Sequence, residues 1–361
     1  MSIKLLIVDD SPFIRKAIAK MIQADPEIVV IGEASNGREA VEKVAELKPD
    51  VVTLDIEMPI MNGIDALKII MKNSPLPVVM VSSLTEDGAK ITLEALKIGA
   101  IDYLPKDIAN SSLSIMNKKQ EIIMKIKTAY QARRRIVRSR DSEINVVNVV
   151  STASSRGVKE KYKKKSDRYS MVVIGTSTGG PPALEKVIAP LPSSFSLPIL
   201  IVQHMPPVFT RSLADRLNSL SQIGVKEAED GEMIRPGQAY IAPGDFHMTL
   251  RKNRDGFIVR TSKEPSQLIN RPSVDVLFES AAEYFSNDLL AVIMTGMGHD
   301  GLQGTRQIRN KTGTVIAQDE ETCVVFGMPG SVVKENLADY IVPLQEIAPR
   351  IMELVVANET T

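Results

Sequence analysis

Eight side chains whose types could do chemistry follow short apolar runs. Asp9 and Asp10 close the run Ile3–Val8, Asp55 closes Val51–Leu54, Ser82 closes Val78–Val81, and Lys106 follows Ile101–Leu104. If those runs are neighbouring parallel strands, three carboxylates, a hydroxyl and an ammonium share one sheet edge. Clustered carboxylates repel one another, so a hard divalent cation such as Mg²⁺ is their natural occupant. A carboxylate beside that cation and a lysine can also accept a phosphoryl group, because both cations neutralise its charge. A single strand-end aspartate reads as a helix cap. Five such residues at the ends of four strands of one sheet read as a site.

In the second half the glycine-rich turn Gly175-Thr176-Ser177-Thr178-Gly179-Gly180 follows an apolar run and precedes Pro181-Pro182, which opens a helix. As a dinucleotide loop it lacks the middle glycine, and the next run ends in Gln203-His204 rather than an acid. As Gly-x-Ser-x-Gly it exposes a serine hydroxyl beside helix amides. A serine needs a base, and the base an orienting acid. His204, and Asp300 after the run Leu289–Met294, supply both. The order Ser–His–Asp differs from that of α/β-hydrolases. His247 and His299 are rival bases and Asp245 and Asp275 rival acids, the acids reading more simply as a turn residue and a helix N-terminal acid. Cys323, with apolar neighbours, reads as a buried small side chain.

The elements that must position these residues alternate. In residues 1–130, five short β-branched runs (Ile3–Val8, Ile28–Ile31, Val51–Leu54, Val78–Val81, Ile101–Leu104) alternate with amphipathic stretches such as Glu39–Leu47. That pattern predicts a doubly wound parallel sheet, whose ligands bind at the carboxyl ends of its strands. Residues 170–356 repeat it, with strands at Ser170–Ile174, Leu197–Val202 and Leu289–Met294. Val225–Arg260, with turns at Pro236-Gly237, Pro243-Gly244 and Asp255-Gly256, reads as antiparallel hairpins inserted into that sheet. Between the two α/β domains, residues 131–169 read as a basic flexible linker.

Composition narrows the class. The 361 residues are too many for one ordinary domain, and 43% hydrophobic with 24% charged residues excludes wholesale disorder. One cysteine and three scattered histidines exclude a disulfide framework and a Cys-based zinc site. No run reaches the ~18 apolar residues of a membrane helix, and the first apolar run ends in Asp9-Asp10, unlike a signal peptide. A cytoplasmic location is expected. The zero net charge conceals an asymmetry: Asp107–Arg168 holds 16 basic against 6 acidic residues, leaving 28 against 38 elsewhere.

Leu6-Ile7-Val8-Asp9-Asp10-Ser11, Asp55-Ile56-Glu57-Met58-Pro59 with Asn62-Gly63, and the strand end at Lys106 resemble the receiver domain of two-component response regulators. The resemblance implies a flavodoxin-like fold with Asp55 as phosphoacceptor. It makes Asp9, Asp10 and the backbone carbonyl of Glu57 Mg²⁺ ligands with Asp55, Ser82 the switch hydroxyl, Lys106 the phosphate-contacting lysine and Tyr103 the switch aromatic. Receivers usually place proline after that lysine; here Asp107 follows.

From Ser170 to Met352 the chain resembles the catalytic domain of bacterial chemotaxis protein-glutamate methylesterases. The matching stretches are Gly175–Pro181, Gln203-His204-Met205-Pro206 with Phe209-Thr210, Ala242-Pro243-Gly244, Arg271-Pro272-Ser273-Val274-Asp275, Thr295–Gly301, and Ala317-Gln318-Asp319 with Gly327-Met328-Pro329. That implies a Rossmann-like domain with Ser177 as nucleophile, His204 as base and Asp300 as orienting acid. Met297 and its amide lie at the oxyanion site and Thr178 beside the nucleophile. The implied activity is hydrolysis of glutamate methyl esters on chemoreceptor helices, with deamidation of particular glutamines, and needs no cofactor for the ester chemistry. The implied partners are chemoreceptors, through which alone the protein meets the membrane, and the chemotaxis histidine kinase as phosphoryl donor.

Two rivals stand beside this. A DNA-binding output has only the basic linker behind it and lacks a helix-turn-helix pattern, so no nucleic-acid partner is expected. An inactive phosphorylation-dependent scaffold conflicts with the retained Ser177, His204 and Asp300.

Overall fold

A computed structural model describes residues 2–106, 115–143, 169–268 and 270–356, with side chains of the helix at 115–143 described for residues 119–133. Two parallel sheets are each covered by helices on both faces. The first follows the order β2-β1-β3-β4-β5, from β1 (Ile3–Val8), β2 (Ile28–Ala34), β3 (Val51–Asp55), β4 (Val78–Ser82) and β5 (Asp102–Pro105). Its order reverses beside β1, so the carboxyl ends of β1 and β3 flank the crevice where such sheets bind ligands.

Local sequence fixes the helices between these strands. α1 (Pro12–Ile22), α2 (Gly37–Leu47), α3 (Gly63–Asn73) and α4 (Glu86–Ile98) start behind Ser11, Asn36, Asn62 and Thr85. Each cap's side chain accepts a backbone N–H three residues on, satisfying a donor the helix cannot. α5 (Ile115–Glu143) buries Ile122, Ile126, Ala129 and Ala132 against Leu5, Ile7, Val79 and Leu104. It runs past residue 130 into the stretch that the sequence marks as a linker. Asp107 and residues 144–168 of that linker lie outside the described residues.

The second sheet has seven strands in the order β14-β13-β12-β6-β7-β9-β8. They are β6 (Met171–Thr176), β7 (Ile199–Gln203), β8 (Gly224–Glu227), β9 (Gln238–Ile241), β12 (Leu289–Ile293), β13 (Thr314–Gln318) and β14 (Tyr340–Val342). The helices are α6 (Gly180–Ile188), α7 (Phe209–Leu220), α8 (Val274–Tyr284), α9 (Leu302–Asn310), α10 (Met328–Lys334) and α11 (Leu344–Val356). All strand pairs are parallel, and every residue of β6, β7 and β12 is buried, as an apolar run covered on both faces requires.

One expectation changes here. Of Val225–Arg260, only β10 (His247–Lys252) and β11 (Phe257–Ser262) form an antiparallel hairpin. β8 and β9 pair in parallel and extend the main sheet. The chain between them, residues 228–237, is long enough to cross back, so the Pro236-Gly237 turn leads into a parallel strand instead of closing a hairpin.

The two units pack together. α4 lies against α6 and α7, and one apolar cluster contains Leu93 and Tyr103 with Leu184, Phe209 and Leu213. The Tyr103 ring stacks on Phe209, with centroids 4.7 Å apart and planes 6° from parallel.

Candidate active site

Parallel pairing sets the register of the second site. Thr176 pairs with Gln203, so Ser177 and His204 leave the sheet side by side, and the His204 amide donates to the Thr176 carbonyl at 3.2 Å. β12 flanks β6 on its other side, and the Ser177 amide donates to the Thr295 carbonyl at 3.0 Å. The loop after β12 must come very close: a Cβ on Gly296 would lie 2.9 Å from Ser177 Cβ. Met297 is the next residue along that loop. Gly179, in the left-handed region at φ 78°, turns the chain from Ser177 into α6, and a Cβ there would lie 2.6 Å from Val324.

His204 Nε2 lies 2.7 Å from Asp300 Oδ2. Asp300 also accepts from Ser273 Oγ at 2.8 Å and from the amides of Val274 at 2.8 Å and Asp275 at 3.0 Å. Ser273 is the N-cap of α8, yet its hydroxyl does not cap its own helix; the incoming carboxylate takes that place. Burial raises the Asp300 pKa, but the His204 hydrogen bond and charge and the two amides outweigh it and hold the carboxyl well below its usual range. Among the described residues the Ser177 hydroxyl makes no hydrogen bond, to His204 or to any other group. Gln203 Nε2 donates to the Ser177 carbonyl at 3.0 Å and fixes the turn from below.

The rival candidates separate cleanly. His247 is fully buried, and its two nitrogens meet the Ser273 amide at 3.2 Å and the Pro265 carbonyl at 3.3 Å, so neither can serve as a base. His299 is exposed on the loop. Asp245 is a turn residue at φ 66°, paired with Lys263 at 2.7 Å. Asp275 sits in the first turn of α8 and accepts from the Gly304 amide at 2.8 Å. Cys323 is buried.

At the first sheet's edge, carboxylate oxygens of Asp9, Asp10 and Asp55 lie within 4.8 Å of one another. Lys106 Nζ is 2.8 Å from Asp55 and 4.0 Å from Asp9. Burial, more than the Lys106 contact can offset, lifts Asp55 to about 6 and also raises Asp9. Asp9 Oδ2 is buried with no hydrogen-bond partner, the kind of orphaned oxygen a cation would satisfy. The Glu57 amide donates to Asp55 Oδ1 at 3.3 Å. Ser82 is engaged with α4, its Oγ lying 2.8 Å from Thr92 Oγ1 and 3.3 Å from the Gly88 carbonyl.

On the receiver side the sites meet through Asp102, Lys125 and Thr128, which carry no local sequence signal. Thr178, next to Ser177, donates its hydroxyl to Asp102 Oδ2 at 2.6 Å. Asp102 is held from the other side by Lys125 Nζ at 3.3 Å, and Lys125 also donates to the Tyr103 carbonyl at 2.6 Å. Thr128 of α5 contacts Met297 Sδ at 2.9 Å.

A family described as CheB methylesterase matches residues 172–351, and one described as response regulator receiver domain matches residues 5–117. A Thermotoga maritima protein named protein-glutamate methylesterase/protein-glutamine glutaminase is 47% identical over 354 residues, covering 98% of both chains. One of the same name from Pyrococcus horikoshii is 44% identical, covering 98% of this chain and 94% of its own. The chain belongs to the protein-glutamate methylesterase family. The crystal structure of the Thermotoga maritima CheB methylesterase catalytic domain superposes with a TM-score of 0.51 at 50% identity, covering 52% of this chain and all of its own. This enzyme therefore joins a receiver to a methylesterase domain.

Three positions in the methylesterase domain are quoted in the sequence only within longer stretches, with no role of their own. Ser273 is an N-cap by type and place, which hides its donation to Asp300. Gln203 reads as the end of an apolar strand and Phe209 as a core residue, although one holds the serine turn and the other stacks on the receiver.

Proposed function

We propose that this enzyme hydrolyses glutamate methyl esters on the cytoplasmic helices of chemoreceptors, and deamidates particular glutamines there, with Ser177, His204 and Asp300. The observation that carries the reading is the 2.7 Å bond from His204 Nε2 to a carboxylate seated on the α8 N-terminus, one strand from Ser177. That bond commits Nε2 to Asp300 and leaves Nδ1 to take the serine proton. Ser177 Oγ attacks the side-chain carbonyl, His204 receives the proton and passes it to the leaving methanol, and water cleaves the acyl-enzyme. With a glutamine, ammonia leaves instead. The Met297 amide would hold the oxyanion, a role supported by the close approach of its neighbour Gly296 to Ser177.

Asp55 accepts a phosphoryl group from the chemotaxis histidine kinase. Asp9, Asp10, Asp55 and the Glu57 carbonyl would hold Mg²⁺, which supplies charge neutralisation during that transfer. Lys106 holds the Asp55 carboxylate in place. Drawing the Ser82 hydroxyl toward a phosphoryl group releases its contacts with α4, and α4 packs on α6 and α7. The receiver, bonded to Thr178 and in contact with Met297, excludes a receptor helix until phosphorylation loosens that grip.

Methanol release from methyl-labelled receptor membranes tests the reading. The full chain should accelerate with acetyl phosphate, and a chain lacking residues 1–168 should exceed the unphosphorylated full chain. No methanol release from either would reject the activity; a truncated chain no faster than the unphosphorylated one would reject steric gating.

A further inference from the structure

His247 belongs to the first strand of the hairpin, far from the sheet edge in sequence, and is completely buried. Its ring contacts are unlike those of a core-filling residue. Nδ1 faces the backbone N–H of Ser273 at 3.2 Å, and Nε2 faces the carbonyl oxygen of Pro265 at 3.3 Å. A backbone N–H can only donate and a carbonyl can only accept, so the ring carries its proton on Nε2 and presents a lone pair to Ser273. Burial, first among the influences on the ring, lowers its pKa and favours that neutral form.

Ser273 is the hinge of the arrangement. Its amide is held by His247, its hydroxyl donates to Asp300 Oδ1, and the next two amides, of Val274 and Asp275, donate to the same carboxylate. Three of the four donors that orient Asp300 therefore come from one short segment, pinned at its start by the imidazole. The fourth is His204 itself. We propose that His247 is a positioning residue for Asp300, acting through Ser273 to hold the α8 N-terminus at the place where the carboxylate must sit. The proposal rests on the reading of Asp300 as the group that orients His204. It assigns the third histidine a place in the reaction although it touches no reacting atom.

The chemistry distinguishes this from ordinary packing. Asparagine is smaller than histidine, but its Oδ1 falls near the place of Nδ1 and can accept the Ser273 N–H. Leucine fills the volume and offers no acceptor. A misplacement of about 1 Å at a catalytic group costs on the order of 100-fold in rate. Steady-state methanol release by the acetyl-phosphate-treated full chain, across a range of methylated receptor concentrations, is therefore expected to show kcat about 10- to 100-fold lower for His247→Leu with KM unchanged. His247→Asn should recover to within about threefold of the parent. A packing role predicts the reverse order, with leucine tolerated and asparagine damaged. Either that reversal, or equal losses in both variants, overturns the proposal.

Thermal unfolding monitored by circular dichroism fixes an assay temperature at which each variant is folded. Should His247→Leu not fold, Ser273→Ala removes only the hydroxyl contact and should itself lower kcat about tenfold at constant KM; an unchanged kcat overturns the proposal. Asp300→Ala runs alongside. If it retains kcat, the reading of the triad fails and takes this proposal with it. If it collapses while His247→Leu and Ser273→Ala keep the parent kcat, the positioning role alone is rejected.

Discussion

The receiver and the methylesterase domain use the same sheet edge in opposite electrostatic conditions. In the receiver, each of α1 to α4 is capped by its own Ser, Asn or Thr side chain, so the helix N-termini are closed. The carboxylates between them are left under-satisfied: Asp9 keeps a bare oxygen and Asp55 is lifted to about 6. In the methylesterase domain, α6 to α10 have no side-chain cap, and the amides of α8 serve a carboxylate from another loop. Asp300 is saturated with donors and held well below the usual carboxylate range. On the proposed assignments, the comparison separates a carboxylate that must react from one that must stay still. The first is kept unstable so that a cation and a phosphoryl group improve its lot. The second is fixed so that its charge and direction do not change through the reaction.

The largest test of that contrast compares the two nucleophiles. Ser177→Ala should reduce methanol release by ~10⁴–10⁶ while receiver phosphorylation stays intact, because the serine lies on a turn outside the core. Asp55→Asn should leave the basal rate unchanged and remove the response to acetyl phosphate. Substantial turnover in a folded Ser177→Ala chain would break the assignment.

A smaller effect is expected where the two regions touch. Asp102→Ala removes the acceptor of the Thr178 hydroxyl from the receiver side only. A hydrogen bond to a charged group contributes ~1.5–3 kcal/mol, so unphosphorylated basal activity should rise roughly tenfold or more, approaching that of the chain lacking residues 1–168. No rise in methanol release would show that this bond does not hold the receiver in place.

The smallest effect is on stability. Because burial raises the folded-state pKa of Asp55 above the unfolded value of 3.8, to about 6, its favourable contribution is complete below the unfolded value and lost as pH rises through about 6. Asp55→Asn should therefore raise Tm in metal-free buffer above pH 6, with the gain vanishing below about pH 4. Added Mg²⁺ should raise the Tm of the parent and not of the variant. A Tm difference independent of pH would mean that Asp55 is not strained by its burial.

What sequence made legible follows from where each kind of signal resides. Strands buried on both faces are continuous apolar runs, so β1 falls at Ile3–Val8 as expected, and the rule that ligands meet strand carboxyl ends picks out Asp9, Asp55, Ser177 and His204 without knowledge of contacts. β8 and β9 mislead because alternation and turn residues fix a strand but not the direction of its partner. The end of α5 reads as part of a basic linker because Arg133 to Arg140 crowd that stretch of sequence with charge. His247 could not be distinguished from a base by its type, since only burial and two hydrogen-bond partners decide the matter. The Asp102–Thr178 bond spans 76 positions and belongs to the docking of two separately coded units, which no local pattern describes.

The stacked pair Tyr103 and Phe209 has a further consequence. Under the proposed steric gating, a docked receiver and a receptor helix compete for one face, and competition is symmetric in free energy. Whatever factor phosphorylation adds to receptor affinity, bound receptor must add to the receiver's preference for its phosphorylated form. Heavily methylated receptor would thus draw enzyme into the active state by occupying it, and the supply of substrate would help set the lifetime of the signal that directs its removal.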